Sequence, residues 1–418
     1  MWFVVVPIVA VVLIILIINV GTPEKKIAYE IKPPFTVEDP CFQRLISCLL
    51  GPPLTGGNLV TTLQNGDRIF PAMLAAIAGA RTSVCFETYI YWTGEIGAKF
   101  ADALCNRARA GVPVHVVLDG VGTKLDAAKL DEMRAAGIQV ERFHPLGMRS
   151  LGRINNRTHR KLLIIDGRLG FTGGVGIADQ WQGDAQDADH WRDVHFQVEG
   201  PVVAQMQAAF IDNWLKTRAM LLHGDAYFPA LEPAGELSAQ LFRSSPDEGA
   251  ESVRLLYLLS IACAKQSVRI ASAYFVPDDL ARDTIVSALR RGVSVQIILP
   301  GPLIDAKVTR RASRSRWGPI LEAGAEIHEF QPTMFHCKVM IIDEVWTSVG
   351  STNFDNRSFR LNDEANLNLY DAGFAHEQIA AFAADLARSR RITHAEWQNR
   401  PWREKATERL AGLLRSQM

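Results

Sequence analysis

The sequence predicts an α/β protein made of two duplicated α/β/α sandwich halves that form one pseudo-two-fold site, preceded by an N-terminal transmembrane helix. Three observations predict this arrangement. Apolar segments of strand length alternate with segments of helix length, which is typical of layered α/β folds. The pattern His-x-Lys-x4-Asp occurs twice, at 159–166 and at 336–343. An apolar run, broken only by Pro7 and Asn19, occupies 2–20.

The apolar run at the N-terminus predicts an uncleaved membrane anchor over 1–20. As a helix, a run of this length spans about 29 Å, close to the thickness of the hydrocarbon layer. The alternative, a cleaved signal peptide, needs a basic region before the run and small residues at its exit, and the sequence has neither. The run is followed by basic residues, so the positive-inside bias places the rest of the chain in the cytoplasm, attached to the cell inner membrane. These residues are Lys25, Lys26, Lys32 and Arg44.

Composition narrows the class of protein. A chain of 418 residues is long enough for two domains or for one large duplicated domain. The formal net charge is zero, which argues against a nucleic-acid partner. The six cysteines contain no C-x-x-C pair, which favours free thiols in a reducing compartment over disulfides or a metal site. We expect neither a metal nor a cofactor.

A proline-rich linker over 21–57, with a short helix over 41–50, is expected to lead into the first half of the globular part, over 58–220. Asp67 is positioned to cap the first helix of this half. The expected elements are a helix over 69–79, a strand over 83–92, a helix over 94–110, a strand over 112–118, a helix over 127–136, a strand over 138–143 and the motif at 159–166.

The second half, over 244–390, repeats this order after a connection over 221–243. Arg81-Thr-Ser-Val matches Lys265-Gln-Ser-Val, and Arg109-Ala-Gly-Val matches Arg291-Gly-Val. The spacing between matched residues drifts slowly along the chain, as changes in loop length would make it drift. The whole α/β unit is therefore duplicated, and the two motifs are predicted to face each other across one site.

Each motif predicts a buried strand that presents one histidine and one lysine. Alternation within His159-Arg160-Lys161 and His336-Cys337-Lys338 places both polar side chains on one face. The four apolar residues that follow are typical of a strand buried on both faces. The alternative is two core strands that merely end in polar turns, but buried lysine and histidine without a function would cost several kcal/mol of desolvation.

Two histidines, each beside a lysine, suit transfer at a phosphodiester. One imidazole would attack the phosphorus, while the other would protonate the leaving alkoxide and later deprotonate the incoming hydroxyl. Lys161 and Lys338, with the turn residues Ser351 and Asn353, would stabilise charge on the phosphoryl oxygens. With two fixed ammonium groups, such a site needs no metal.

The duplicated motif resembles that of the phospholipase D superfamily, and within it the bacterial cardiolipin synthases. The superfamily pattern is His-x-Lys-x4-Asp followed by Gly-Ser-x-Asn. The stretches 87–91, 173–174 and 358–362 resemble cardiolipin synthases as well, and the resemblance covers roughly Leu59 to Thr393. The residues that match the pattern are His159, Lys161, Asp166, His336, Lys338, Asp343, Gly350, Ser351 and Asn353.

The resemblance implies a membrane-associated phosphatidyltransferase. It would form a phosphatidyl-histidine from phosphatidylglycerol, with His159 as the nucleophile, and pass the phosphatidyl group to a second phospholipid. It also implies that Asp193 and Glu364 orient the two histidines and that Gly174 lies in a phosphate-binding turn. One alternative uses water as the acceptor, as a lipid hydrolase or a nuclease does. The other is a non-catalytic lipid-binding protein.

The first motif departs from the pattern, because Gly176 stands where its turn should have Asn. Either a backbone N–H or a water replaces the missing amide, or the two halves act unequally. Asp166 and Asp343, which match the pattern, follow buried strands and are expected to make structural hydrogen bonds.

Two basic clusters precede the motifs and predict contacts with an anionic phospholipid, although solvated surface charge is the alternative. The tail over 391–418 is basic and amphipathic, and it either faces a membrane or packs as an ordinary terminal helix. The residues of the clusters are Arg153 and Arg157 in the first half, with Arg149, and Lys307, Arg310, Arg311 and Arg314 in the second, with Arg316.

Overall fold

The computed structural model describes residues 31, 33–145, 155–246 and 252–414. The predicted membrane anchor at 1–20 and the predicted substrate residue Arg153 lie outside the described residues. Within the described ranges, the structure contains no helix with the length and hydrophobicity that crossing a bilayer requires. The predicted α/β class is confirmed.

The first half alternates strands and helices as predicted. Asp67, expected to cap a helix, lies inside its first turn instead, because the helix begins at Asn65. The elements are α1 (Pro40–Leu45), a π-helical turn (Ile46–Leu50), β1 (Thr55–Gln64), α2 (Asn65–Gly79), β2 (Val84–Thr88), α3 (Glu95–Arg109), β3 (Val114–Asp119), α4 (Ala127–Ala135), β4 (Gln139–Phe143), β5 (Arg157–Thr158), β6 (Leu162–Ile165), β7 (Leu169–Gly173), a 3-10 turn (Asp179–Trp181), β8 (Val194–Glu199) and α5 (Val203–Arg218).

The second half repeats the order of the first and adds elements at its C-terminal end. Its elements are β9 (Leu237–Ser244), α6 (Ser252–Cys263), β10 (Ser267–Ser272), β11 (Phe275–Val276), α7 (Asp279–Arg290), β12 (Ser294–Pro300), α8 (Lys307–Arg314), α9 (Gly318–Glu322), β13 (Glu326–Phe330), β14 (Lys338–Ile342), β15 (Trp346–Gly350), β16 (Phe354–Asp355), α10 (Asn356–Arg360), β17 (Asn362–Tyr370), α11 (Ala372–Ala387), β18 (Ser389–Ile392), α12 (His394–Gln398) and α13 (Trp402–Gly412).

The two halves share one continuous sheet. The first half contributes the order β4-β3-β2-β6-β7-β8-β1, and the second continues with β9-β17-β15-β14-β10-β12-β13-β18. The halves join where β1 pairs with β9 in antiparallel. Read outward from this junction the two orders match up to the additional edge strand β18, and the motif strands β6 and β14 occupy equivalent positions. A pseudo-two-fold axis therefore passes between β1 and β9, as the duplication predicted.

The halves also share an apolar interior. Phe210 and Trp214 of α5 belong to the same buried cluster as Phe330 of β13 and Leu367 of β17. Burying one side chain of this size stabilises the fold by about 1.5–3 kcal/mol. Separating the halves would expose these side chains to water, so the junction between them is a fixed part of the fold.

Candidate active site

A cavity of about 380 Å³ lies at the junction of the halves, and both motif histidines line it. This volume lies within the usual range of small-molecule sites. Both halves contribute to its wall. The lining residues are Tyr89, Ile90, Trp92, Val121, Gly122, Lys124, Arg157, His159, Lys161 and Trp191 from the first half and Tyr274, Asp305, His336, Asn353, Asp355, Arg357 and Asn362 from the second.

His159 lies in the extended segment between β5 and β6, which is bound to the second half. Strand β5 pairs in parallel with β17, and the backbone N–H of His159 donates to the carbonyl of Asp363 at 2.8 Å. The ring Nδ1 of His159 donates to Oε2 of Glu364 at 2.9 Å. Because Nδ1 is engaged, Nε2 is the ring nitrogen that remains for the cavity.

His336 lies just before β14 and is bound to the first half in the same way. Its backbone N–H donates to the carbonyl of Arg192 at 2.8 Å. Its ring Nδ1 donates to Oδ2 of Asp193 at 2.7 Å, and the same oxygen accepts from the indole N–H of Trp181 at 2.9 Å. Its other ring nitrogen, Nε2, lies 3.2 Å from Nζ of Lys338.

The two buried carboxylates expected to orient the histidines lie beside them, but crosswise. Asp193 of the first half holds His336 of the second, and Glu364 of the second half holds His159 of the first. Burial raises the pKa of Glu364, but its interactions with His159 and Lys161 and the hydrogen bond from Ser351 together lower it below its ordinary value. The pKa of Asp193 is lowered in the same way, against its burial, by His336. Both acids are therefore ionised partners for their imidazoles.

Burial leaves both imidazoles neutral in the empty site. It lowers the pKa of His159 to about 4, and the pKa of His336 is lowered by burial and by the nearby Lys338. A neutral imidazole with Nδ1–H bonded to a carboxylate presents an unprotonated Nε2 to the cavity. An anionic ligand would raise these pKa values again, since it favours the charged form.

The two motif lysines are buried beside the histidines. Nζ of Lys161 donates to the carbonyl of His159 at 2.8 Å, and Nζ of Lys338 donates to the carbonyl of His336 at 2.7 Å. Burial and the charge of Lys338 lower the pKa of Lys161 to about 7. A bound anion would stabilise the charged form of both amines, so the cavity is suited to an anionic ligand.

Neighbouring atoms leave no room for a side chain at either of two glycines in the turn after the first motif. A Cβ at Gly174 would come within 2.1 Å of Oδ1 of Asp193, so only glycine leaves room for that carboxylate. A Cβ at Gly176 would come within 2.8 Å of Cβ of Ile90 and 3.2 Å of the Trp181 ring. The departure at Gly176 thus has a packing reason, because Ile90 and Trp181 occupy the space that an asparagine would need.

Two side chains of the turn after the second motif have different surroundings, since one supports a buried carboxylate and the other lines the cavity. Ser351, predicted to bind phosphate, donates its hydroxyl to Oε2 of Glu364 and supports that carboxylate. Asn353 lines the cavity, and within the described part of the chain its buried Oδ1 has no hydrogen-bond partner. Asn353 is thus the residue of this turn that is placed to meet a ligand.

Asp166 and Asp343 lie outside the cavity wall and hold turns together. Asp166 accepts from the backbone N–H groups of Arg81, Thr82 and Ser83 at 2.7–3.0 Å. Asp343 accepts from the N–H groups of 265–267 at 2.7–2.8 Å. Both adopt a positive φ, of 55° and 49°. Their hydrogen bonds fix the end of each motif strand against the start of the neighbouring strand.

The basic clusters are only partly at the cavity. Arg157 lines it, whereas Lys307, Arg310, Arg311 and Arg314 do not. Arg310 and Arg314 bind the buried carboxylate of Glu329 instead. The second cluster is therefore a set of ion pairs and exposed cations on and around α8.

Several residues that line the cavity were not predicted from the sequence. Arg357 directly precedes the stretch 358–362, so that stretch pointed near it, and Tyr89 lies inside the stretch 87–91. Tyr274 donates to Asp305 at 2.7 Å across the cavity wall, and no motif marked either residue. Within the described ranges, no group of three or more His, Cys, Asp or Glu side chains is placed to hold a metal ion.

The chain matches known proteins along most of its length. The family model described as "Cardiolipin synthase, PLD-like domain" matches residues 73–214 and 257–386. The chain is 35% identical over 366 residues to a cardiolipin synthase of Geobacillus kaustophilus, covering 87% of this chain and 73% of that protein. It is 34% identical over 364 residues to the major cardiolipin synthase ClsA of Bacillus subtilis, covering 86% and 75%.

Solved structures share the fold. A phosphatidylserine synthase of Haemophilus influenzae matches with a TM-score of 0.67 at 13% identity, covering 86% of this chain and 95% of that one. A polyphosphate kinase of Porphyromonas gingivalis matches with a TM-score of 0.54 at 11% identity, covering 94% and 57%. At these identities the similarity establishes the two-half fold alone.

Proposed function

The chain belongs to the cardiolipin synthase family of phospholipase D-like phosphatidyltransferases, and we propose that it makes cardiolipin from phosphatidylglycerol and a second phospholipid through a phosphatidyl-histidine. One observation carries the proposal. His159 and His336 come from opposite halves and line one cavity, and Nδ1 of each is bound to a buried carboxylate. Nε2 of each ring is therefore the nitrogen assigned to the chemistry, and at His336 it lies beside Nζ of Lys338.

In the first step, Nε2 of His159 attacks the phosphorus of phosphatidylglycerol, so that a P–N bond forms as the P–O bond to glycerol breaks. His336, which takes up a proton when the anionic substrate binds, donates it to the departing alkoxide. The lowered pKa of His159, about 4 in the empty site, supports its role as the neutral nucleophile. Its neighbour Glu364 stabilises the charge that the imidazole gains on phosphorylation.

In the second step, His336 accepts the proton of the incoming hydroxyl, whose oxygen attacks the phosphorus. The P–N bond to His159 breaks, and the imidazole returns to its starting state. Lys161, Lys338 and Asn353 stabilise the charge on the non-bridging oxygens in both steps. The proposal needs no cofactor, since both protons are carried by His336.

The second lipid also carries a phosphate, and we assign Arg157 and Arg357 to bind it. Both line the cavity, and Arg157 is only 8% exposed. Burial, and to a smaller extent the charge of Arg357, lower the pKa of Arg157, which indicates two cations close together. A guanidinium binds a phosphate through two parallel N–H···O bonds. These two arginines therefore favour a second anionic lipid over water as the acceptor.

The protein works at a membrane in this proposal, since both substrates are lipids. We place it at the cell inner membrane, with a single-pass anchor over 1–20 and the catalytic part in the cytoplasm. A reporter that is active only outside the cytoplasm, fused to the C-terminus, is expected to be silent. An active reporter would overturn this orientation.

The proposed reaction is tested with the purified full chain and labelled phosphatidylglycerol. Cardiolipin and glycerol are the expected products, and they should disappear in His159→Ala and in His336→Ala. His376→Ala, which changes an exposed histidine on α11, is the matched control and should keep full activity. If phosphatidic acid were the sole product, the protein would be a hydrolase and not a synthase. Activity that survives both cavity substitutions would overturn the mechanism.

A further inference from the structure

The C-terminal helix α13 packs on the protein through its polar face. Glu408 is only 2% exposed, and its carboxylate accepts from Arg314 at 3.0 Å and from Arg400 at 2.6 Å. Ala411, one turn further along, packs against Ala312 of α8 in a small buried cluster. A buried carboxylate with two arginine partners fixes the rotation of the helix, because turning it would strand the charge in the interior.

The opposite face of the same helix is apolar and exposed. At about 100° per residue, Trp402, Ala406, Leu410 and Leu413 fall on one side of the helix, away from Glu408. We call these four residues the outer stripe. Trp402 is 73% exposed, Leu410 65% and Leu413 77%. A surface helix ordinarily turns its apolar stripe inward, so α13 has the reverse orientation, and such an exposed patch marks an interaction surface.

Cations flank the outer stripe. Arg403 and Arg409 are exposed and lie on its two sides. The guanidinium of Arg403 lies 5.7 Å from the centre of the Trp402 ring. An apolar stripe bordered by arginines, with an indole at one end, is the pattern of helices that lie in the interface of an anionic membrane.

Helix α8 continues this surface to the cavity. It packs against α13 and begins two residues after Asp305, which lines the cavity. Val308 is 46% exposed, and the cations Lys307 and Arg311 beside it are exposed as well. Helix α8 therefore connects α13 to the segment that reaches the cavity, and it exposes Val308 with two cations beside it.

We propose that the outer stripe and the exposed face of α8 form a docking surface for a bilayer that contains anionic phospholipid. The apolar side chains enter the acyl boundary, and the arginines and lysine meet headgroup phosphates. The proposal rests on the proposed function for its purpose: docking at α8 holds the cavity rim against the layer that supplies the lipid substrates. The charge complementarity favours a bilayer over a second copy of this chain.

A label on the outer stripe tests the docking without any turnover. The full chain, with Cys41→Ser and Cys48→Ser to remove the two cysteines that are not buried, carries an NBD fluorophore on Leu410→Cys in nanodiscs of phosphatidylcholine and phosphatidylglycerol. We expect blue-shifted emission that is quenched by doxyl-labelled lipid. The matched control, a label on Glu377→Cys at an exposed position of α11, should keep its aqueous emission. Aqueous emission at 410 would overturn the proposal, as would shielding that lipid does not quench, since a second copy would then cover the stripe.

A double variant connects the surface to catalysis. Leu410→Glu with Leu413→Glu is expected to lower turnover of bilayer phosphatidylglycerol by about tenfold, but not turnover of a soluble chromogenic phosphodiester. An unchanged melting temperature shows that the variant folds. Equal rates on the bilayer substrate for the variant and the unaltered chain would contradict docking. If the unaltered chain turned over neither substrate, the proposed function would fail, while the label would still decide the docking.

Discussion

The carboxylate of Asp193, in the first half, accepts a hydrogen bond from Nδ1 of His336, in the second half, at 2.7 Å. Glu364 of the second half makes the equivalent contact with His159 of the first, at 2.9 Å. Neither half thus contains both a motif histidine and the carboxylate that binds it. Each copy of the motif therefore depends on an acid from the other half, so the site needs both halves together.

Replacing Asp193 with the isosteric asparagine is expected to lower kcat by about 10²- to 10⁴-fold with little change in KM. The amide of Asp193→Asn would favour the wrong tautomer of His336 and would not stabilise its protonated form. Glu364→Gln should act in the same way on His159. Steady-state rates on phosphatidylglycerol measure both effects.

The surface pair Asp187–His190 offers a matched control for these substitutions. Nδ1 of His190 donates to Oδ1 of Asp187 at 2.6 Å, as in the buried pairs, but both side chains are partly exposed. Asp187→Asn should leave kcat unchanged. A full rate for Asp193→Asn would show that the carboxylate does not set the state of His336.

Restoring the family asparagine in the first turn is expected to harm the protein. In Gly176→Asn the new Cβ would lie 2.8 Å from Cβ of Ile90, and overpacking of this kind costs about 1–3 kcal/mol. The free energy of unfolding should fall by that amount, and activity should not rise. Gly174→Ala should lower kcat as well, because its Cβ would displace Asp193.

Gly79→Ala is the matched control for both glycine variants, since a Cβ there would meet nothing within 4 Å. Denaturant unfolding should show it to be as stable as the unaltered chain or slightly more so. A Gly176→Asn variant that is equally stable and more active would contradict the packing explanation.

The sequence was most informative about the features that occur twice in the chain, the two motifs and the α/β unit around each. The motifs located both histidines, and the order of elements predicted the duplicated α/β fold, because buried strands and turns leave strong local patterns. The roles of Asp193 and Glu364 were predicted from the family resemblance alone. Their crosswise pairing could not be read from the residues, since it depends on how β5 pairs with β17 across the junction of the halves.

Charged residues on the surface were the least predictable. Arg157 and Arg310 both precede a motif, yet Arg157 lines the cavity and Arg310 pairs with Glu329. An arginine carries no local signal that tells a ligand from a carboxylate partner, because the partner comes from a distant part of the chain. Tyr274 and Asp305 were missed for the same reason.

Arg357 is expected to affect the second lipid more than the first. Arg357 lines the cavity, and a lysine in its place keeps the charge but not the bidentate geometry. Arg357→Lys should raise KM for the acceptor lipid by about tenfold, with a smaller effect on formation of the phosphatidyl-enzyme. Arg134→Lys, at an exposed position of α4, is the control. Equal effects of Arg357→Lys on both steps would argue against an acceptor site.

Binding of an inert phosphate analogue should take up protons at pH 8. Burial and Lys338 lower the pKa of Lys161 to about 7, so the amine is mostly unprotonated at this pH in the empty site. A bound tungstate ion would raise the pKa of Lys161 and of the imidazoles, since all are more stable as cations beside an anion. Calorimetry in buffers of different ionisation enthalpy should show that Lys161 takes up to about one proton from the solvent. This uptake should fall as the pH drops below 7. Lys161→Met should remove that share of the uptake, whereas Lys99→Met on the exposed face of α3 should not. Uptake that does not depend on Lys161 would show that the lysine is already charged in the empty site.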